Sequence, residues 1–283
     1  MNDKPEIYFE REYTINNYEK PLVCTSQLCN QEFFGLPLYQ YWVKKLSEKA
    51  NLHRKQWELV YITQVLYENG CLKKGKKGLC FGVGKEPLPS LFASMGCKIL
   101  ATDIDYNTDT AKVWATSNQH TQNDINKLNE RNICDKKIFN KNVSFMPLDM
   151  NEIPDTLKNF DFNWSACALE HIGGLENSIN FLVNNIKTLK SGGIAVHTTE
   201  YNLSSNENTL LDPNCIIFRK KDILEAVRRL EDLGHYVYPL NFKKGTYIAD
   251  NYVDLPPYSS HCHLRLQIDK YTTTSIGLIV RKK

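Results

Sequence analysis

Three groups of residues in this sequence have the types and spacing to do chemistry. The first is the glycine turn "CFGVGKEP", Cys80 to Pro87, with Gly82 and Gly84 one residue apart. Glycines in a strand-to-helix turn let backbone N–H groups and a helix N-terminus come close to a nucleotide or other anion. The second is an acid. Asp103 closes the apolar run "ILATD", twenty-one residues after Gly82, where a carboxylate accepts hydrogen bonds from both hydroxyls of a ribose. The third is a set of histidines at the ends of apolar runs: His171 in "LEHIG", His197 with Glu200 in "HTTEY", and His261 and His263 before the last two runs. An ordinary histidine, with a pKa near ~6.5, is suited to taking a proton from a hydroxyl at neutral pH.

The glycine turn departs from the usual pattern of a nicotinamide dinucleotide site. Such a site has a third glycine where this chain has Pro87, which lacks an N–H. No Tyr-x-x-x-Lys pair follows the fourth apolar run either. An NAD-dependent sugar oxidoreductase or epimerase is therefore the weaker alternative. The local sequence "DLPPY", Asp254 to Tyr258, resembles the D-P-P-Y of amino-directed DNA methyltransferases, but it carries an extra leucine and follows the fifth run instead of the fourth. Net charge is +3 on 67 charged side chains, so no general field draws the chain onto nucleic acid. The clusters "KKGKK" and "FRKK" read as solvated ends of elements.

The elements that must position these groups follow from periodicity. Residues 1 to about 36 read as irregular, and two helical patterns follow, "LYQYWVKKLSEKA" and "RKQWELVYITQVLYENG", the second stopped at Gly70. From Gly78 short apolar runs alternate with helical segments, which implies β-α units and a parallel sheet. The strands read as "GLCFGV", "CKILATDID", "NVSFMPLD", "FDFNWSACAL" and "IAVHTTEY". The helices read as "LPSLFASMG", a polar stretch over roughly 107–130, "LENSINFLVNNIKTLKSGG" and "FRKKDILEAVRRLEDLGH". The closing runs "HLRLQID" and "TSIGLIVRK" are too close together for a crossover helix, so they are expected to pair antiparallel.

In order and spacing, these residues resemble the class I S-adenosylmethionine-dependent methyltransferases. The glycine turn is similar to that family's first motif and Asp103 to its ribose-binding acid. "MPLDMNEIP" is similar to the end of its third strand, "FDFNWSACALEHIG" to its fourth-strand motif and "LKSGGIAVHTTE" to its fifth strand. The resemblance covers roughly residues 70 to 283. It implies an α/β, Rossmann-like, seven-stranded and mostly parallel sheet, with an antiparallel final strand, helices on both faces and extra N-terminal helices. It also implies S-adenosylmethionine as cofactor, bound by Gly82, Gly84, Asp103, Ile104, Asp149 and Met150, with Ala166 near the methionine end. The family commonly has an acid two residues before the first glycine, where this chain has Cys80, so Glu86 is expected to meet the methionine ammonium instead.

Residues 71–283 are thus expected to form the cofactor domain. Residues 1–70 form a helical cap and 201–262 an insertion over the acceptor, with Tyr247, Tyr252 and His261 contacting it. Aromatic rings beside amide and hydroxyl groups suit O-methylation of a sugar or glycan precursor, as in the bacterial methyltransferases of surface-glycan assembly that the motifs resemble. The candidate catalytic residues are His171, His197 and Glu200. A divalent ion on His197, Glu200 and Asp250 is the less favoured arrangement, and no metal ligands are assigned. A non-catalytic partner subunit of the same fold is a further alternative, because the usual acid and third glycine are missing. Nine scattered cysteines lack zinc spacing. With no leader-like start and no run of ~18 apolar residues, a cytoplasmic chain with reduced thiols is expected.

Overall fold

The computed structural model describes residues 24–283 except 109–111, 113–115, 117–119, 122–123 and 259–260. The polar helix expected over 107–130 thus lies partly outside the described residues, and its described end, Ile125–Asn129, is a short 3-10 helix; most of the segment 1–36 also lies outside them.

A one-turn helix, Gln31–Phe34, in the segment expected to be irregular, and two longer helices, α1 (Pro37–Lys45) and α2 (Arg54–Glu68), precede the parallel strands. Proline at the first position of α1 needs no N–H partner, and the His53 side chain accepts from the Lys55 N–H to cap α2. The strands β1 (Ser26–Leu28), β2 (Lys77–Cys80), β3 (Lys98–Asp103), β4 (Val143–Pro147), β5 (Phe160–Ala166), β6 (Leu189–Asn202), β7 (Arg265–Ile268) and β8 (Tyr271–Arg281) supply most of one sheet. Along that sheet the order is β4-β3-β2-β5-β6-β8-β1, ending in the short strand Leu240–Asn241. The run from β4 to β6 is parallel. β8 lies antiparallel to β6, with Ile194 opposite Arg281 and Asn202 opposite Thr273.

The hairpin expected from the last two apolar runs is present, with Leu266 opposite Thr273 and Ile268 opposite Tyr271. The strand count differs from the expected seven, because the sheet has eleven strands. β1 and the two-residue strands Tyr236–Val237, Leu240–Asn241 and Val253–Asp254 add to the β8 side. Elements this short carry too little alternation to stand out in a sequence.

Both faces of the sheet are covered, which is why its strands are apolar runs instead of alternating ones. On one face Phe162, Trp164, Val196 and Ile279 share a cluster with Trp57, Val60 and Tyr61 of α2 and with Leu91 and Phe92 of α3 (Leu88–Ser94). On the other, Leu79, Phe81, Ala195 and Leu278 meet Ile179 and Phe181 of α4 (Leu175–Asn184) and Ile223 and Ala226 of α5 (Lys220–Asp232). The two-residue period of a strand sends neighbours such as Ala195 and Val196 to opposite faces. The carboxyl ends of β2, β3 and β5 open onto one edge of the sheet, where α/β folds bind ligands.

Candidate functional site

At that edge lies a cleft of about 650 Å³. Its first wall is the glycine turn after β2. Gly82 and Gly84 have φ of 59° and 51°, a left-handed conformation that costs glycine little. The turn is pinned to the sheet by the Phe81 N–H donating to the Trp164 carbonyl and the Val83 N–H to the Thr102 carbonyl, both at 2.9 Å. A Cβ on Gly82 would come within 2.5 Å of the Ala168 Cβ and 3.4 Å of the Met150 Sδ. The open space beside the turn therefore depends on glycine.

Asp103, at the end of β3, accepts from the Gly84 N–H through Oδ2 at 2.8 Å and from the Ile104 N–H through Oδ1 at 2.9 Å. Burial raises its pKa, opposed by the nearby His120 and by those two amides. Asp149 follows β4 and accepts from the Asn151 N–H at 2.8 Å, while Met150 turns inward and is buried. Ala166 ends β5. Gly82, Gly84, Glu86, Asp103, Ile104, Asp149, Met150 and Ala166 all line this one cleft.

Glu86 lines the cleft beside the glycine turn. Its Oε1 accepts from Trp164 Nε1 at 2.6 Å and from the Cys80 thiol at 3.2 Å, so Cys80 and Glu86 meet directly. Burial lifts the Glu86 carboxyl to about 7, against those two hydrogen bonds. Burial and the neighbouring Glu86 also hold the Cys80 thiol well above its ordinary range, so it is a neutral donor here.

His171, in the turn after β5, lines the same cleft. Its Nδ1 lies 2.6 Å from the Asn214 carbonyl oxygen. A carbonyl only accepts, so Nδ1 carries the hydrogen and Nε2 is the basic atom of the neutral ring.

The other residues singled out from sequence do not line the cleft. His197 is 2% exposed, lies 2.8 Å from Ser165 Oγ through Nδ1 and packs edge-on against Phe181. Strand alternation turns it to the α4 face, away from its neighbour Thr198, and burial lowers its pKa to about 3. Glu200 points to the α2 face, where it pairs with Arg54 at 2.8 Å. Asp250 pairs instead with Arg265 at 3.1 Å, so His197, Glu200 and Asp250 do not form a metal set. Tyr247 and Tyr252 are 53% and 42% exposed, and His261 is also exposed.

Sequence reasoning missed the far wall of the cleft. Lys55, Glu58 and Cys167 line it, backed by Arg54, Glu170 and Glu200. Glu58, 1% exposed, lies 3.4 Å from Arg54 and 3.5 Å from Lys55. It also accepts from the Cys167 thiol at 3.1 Å and from the Ser275 hydroxyl. The available signal was an Arg-Glu pair at i,i+4, Arg54 and Glu58, within the apolar pattern of this helix.

No family model matches the chain, and no curated protein matches it. Solved structures do. TehB from Haemophilus influenzae has a TM-score of 0.50 at 14% identity, over 87% of this chain and 67% of its own. The methyltransferase domain of bacterial CtHen1 has 0.48 at 15%, over 81% and 100%. Magnesium protoporphyrin IX methyltransferase from Synechocystis PCC 6803, solved with bound SAH, has 0.47 at 11%, over 89% and 98%. At these identities the likeness concerns the fold alone, a mostly parallel methyltransferase-like α/β sheet. Among the described residues no helix is long and apolar enough to cross a membrane.

Proposed function

We propose that this chain transfers the methyl group of S-adenosylmethionine to a hydroxyl of a small polar acceptor, a sugar or glycan precursor, with His171 as the base. The observation that carries this reading is the convergence of Gly82, Gly84, Asp103, Asp149, Met150 and His171 on one cleft. The residues fit the cofactor: the Gly82 turn leaves a cradle that a single Cβ would fill, beside the buried Met150. Asp103 would accept from the ribose hydroxyls, Met150 would pack on the adenine, and Glu86 would face the methionine ammonium. The bound cofactor supplies an electrophilic methyl group on a sulfonium. The chain's own part is to align the acceptor, exclude water and receive the hydroxyl proton at His171 Nε2. The sugar reading rests on the sequence resemblance alone.

The test has two stages. A ligand at 100 times its Kd adds about 2.7 kcal/mol of stability, so melting temperatures with S-adenosylmethionine, S-adenosylhomocysteine and NAD separate the readings. The adenosyl ligands are expected to raise Tm; stabilisation by NAD alone sinks the proposal. Nucleotide sugars and glycan fragments are then screened for methyl transfer. On a productive acceptor, His171→Gln is expected to lower kcat by about 10²- to 10⁴-fold with cofactor affinity unchanged.

A further inference from the structure

Cys167, Glu170 and Glu200 bring one sulfur and two carboxylate oxygens within 4.8 Å of one another, and all three side chains are buried. The chain path causes this. Cys167 follows β5 with a left-handed φ of 46°, Glu170 lies in the helical turn Leu169–His171, and Glu200 lies near the end of β6. Cys167 lines the cleft, so the cluster adjoins the acceptor space.

Each carboxylate is held from behind. Thr199 Oγ1 donates to Glu170 Oε2 at 3.0 Å, Thr273 Oγ1 to Glu200 Oε1 at 2.6 Å, and Arg54 Nη2 to Glu200 Oε2 at 2.8 Å. Outer partners of this kind fix the carboxylate ligands of metals. The Thr199 bond is the one hydrogen bond to Glu170 among the described residues, so its second oxygen has no partner on a side chain only 2% exposed. A carboxylate oxygen has lone pairs enough to accept a hydrogen bond and also bind a cation.

The charges point the same way. Three carboxylates, Glu58, Glu170 and Glu200, face two cations, Arg54 and Lys55. The excess is one negative charge with Cys167 as a thiol and two with it as a thiolate, which is the charge of one divalent ion. Excess buried charge is costly unless something compensates it.

We infer that Cys167, Glu170 and Glu200 form a binding site for a divalent transition-metal ion, with zinc best matched to one thiolate and two carboxylates. On binding, the Cys167 S–H bond breaks, its proton leaves to solvent and the sulfur–metal bond forms, while the carboxylates give lone pairs and no redox change occurs. Arg54, whose Nη1 also lies 3.9 Å from the Cys167 Sγ, stays beside Glu58 and Glu200 as an outer partner. Three protein ligands would leave a fourth position for a small ligand, and Cys167 lines the cleft from which that ligand would come. Resting on the methyl-transfer reading, that position takes the acceptor hydroxyl, whose proton a metal makes easier to remove.

The test uses the full chain, stripped with chelator and titrated with Co²⁺ and Zn²⁺. One equivalent of Co²⁺ is expected to bind with a thiolate-to-metal absorption band, and Zn²⁺ to displace it. Cys167→Ala should abolish the band, and Glu170→Gln should weaken binding by about tenfold or more. Melting curves without metal check that each variant is folded, and Cys167→Ser serves if alanine is not tolerated. No stoichiometric binding to the wild type, or an unchanged band in folded Cys167→Ala or Cys167→Ser, overturns the site. S-adenosylmethionine binding is measured on the same samples: cofactor binding without metal removes only the metal site, and metal binding without cofactor removes only the methyl-transfer reading.

Discussion

Glu86 ties the chemistry of the cleft to pH. Its carboxyl sits at about 7 in the folded chain because burial disfavours the charged form, whereas an unfolded glutamate titrates near ~4.3. Between those values the folded state holds a proton that the unfolded state has lost. The Glu86 contribution to stability is therefore full below the lower value and is lost as pH rises through about 7. Glu86→Gln should flatten the decline in Tm from pH 5 to 8, which parallel melting series would measure. A cationic ammonium beside Glu86 favours the carboxylate, so S-adenosylmethionine affinity should climb from pH 6 to 8 in the wild type and not in Glu86→Gln. Calorimetry in buffers of different ionisation enthalpy would detect the matching proton release, and an identical pH dependence in both proteins would remove Glu86 from the site. The missing acid at position 80 was visible in the sequence, and Glu86 stands against the Cys80 thiol.

The elements that hold the site differ in how far sequence reveals them. The β2 turn was readable because only glycine serves at Gly82, with its φ of 59° and Ala168 against the missing Cβ. Gly82→Ala should cost roughly 1–2 kcal/mol from the left-handed backbone alone, and more from the clash. It should also weaken adenosyl ligands as the cradle fills, which denaturant melts and ligand titration would check together. Asp103 was readable for a related reason, since a strand end at fixed separation leaves its carboxylate little choice of position. His197 was misplaced because type and location were read without parity: one residue of β6 separates the cleft side from the α4 side, and the run "AVHTTE" is buried on both. Glu58 and Arg54 were hidden because helix α2 buries a charged stripe beside an aromatic one. A hydropathy pattern reports that such a helix is covered, and leaves open by what.

At the scale of the whole molecule, the strongest consequence concerns residues 37–68, expected from sequence to be a cap ending at residue 70. Trp57, Val60 and Tyr61 of α2 lie in the same buried cluster as Phe162, Trp164, Val196 and Ile279 of the sheet. Gly277 of β8 has no room for a side chain, because a Cβ there would fall 2.1 Å from Tyr61 Cε1. The Tyr61 hydroxyl in turn donates to the Thr25 carbonyl at 2.8 Å, next to β1. Each large apolar side chain uncovered by removing α2 forfeits about 1.5–3 kcal/mol, and several together match the 5–15 kcal/mol that holds a typical domain folded. A fragment comprising residues 71–283 is therefore expected to show no cooperative urea transition in near-ultraviolet circular dichroism. The full chain should unfold in one step, and Trp57→Ala should lower its stability by about 3–5 kcal/mol. The same deletion strips Lys55 and Glu58 from the cleft, so even a rescued fragment should lack the far wall of the site. A 71–283 fragment that unfolds cooperatively and binds S-adenosylmethionine as tightly as the full chain would show α2 to be a separable cap after all.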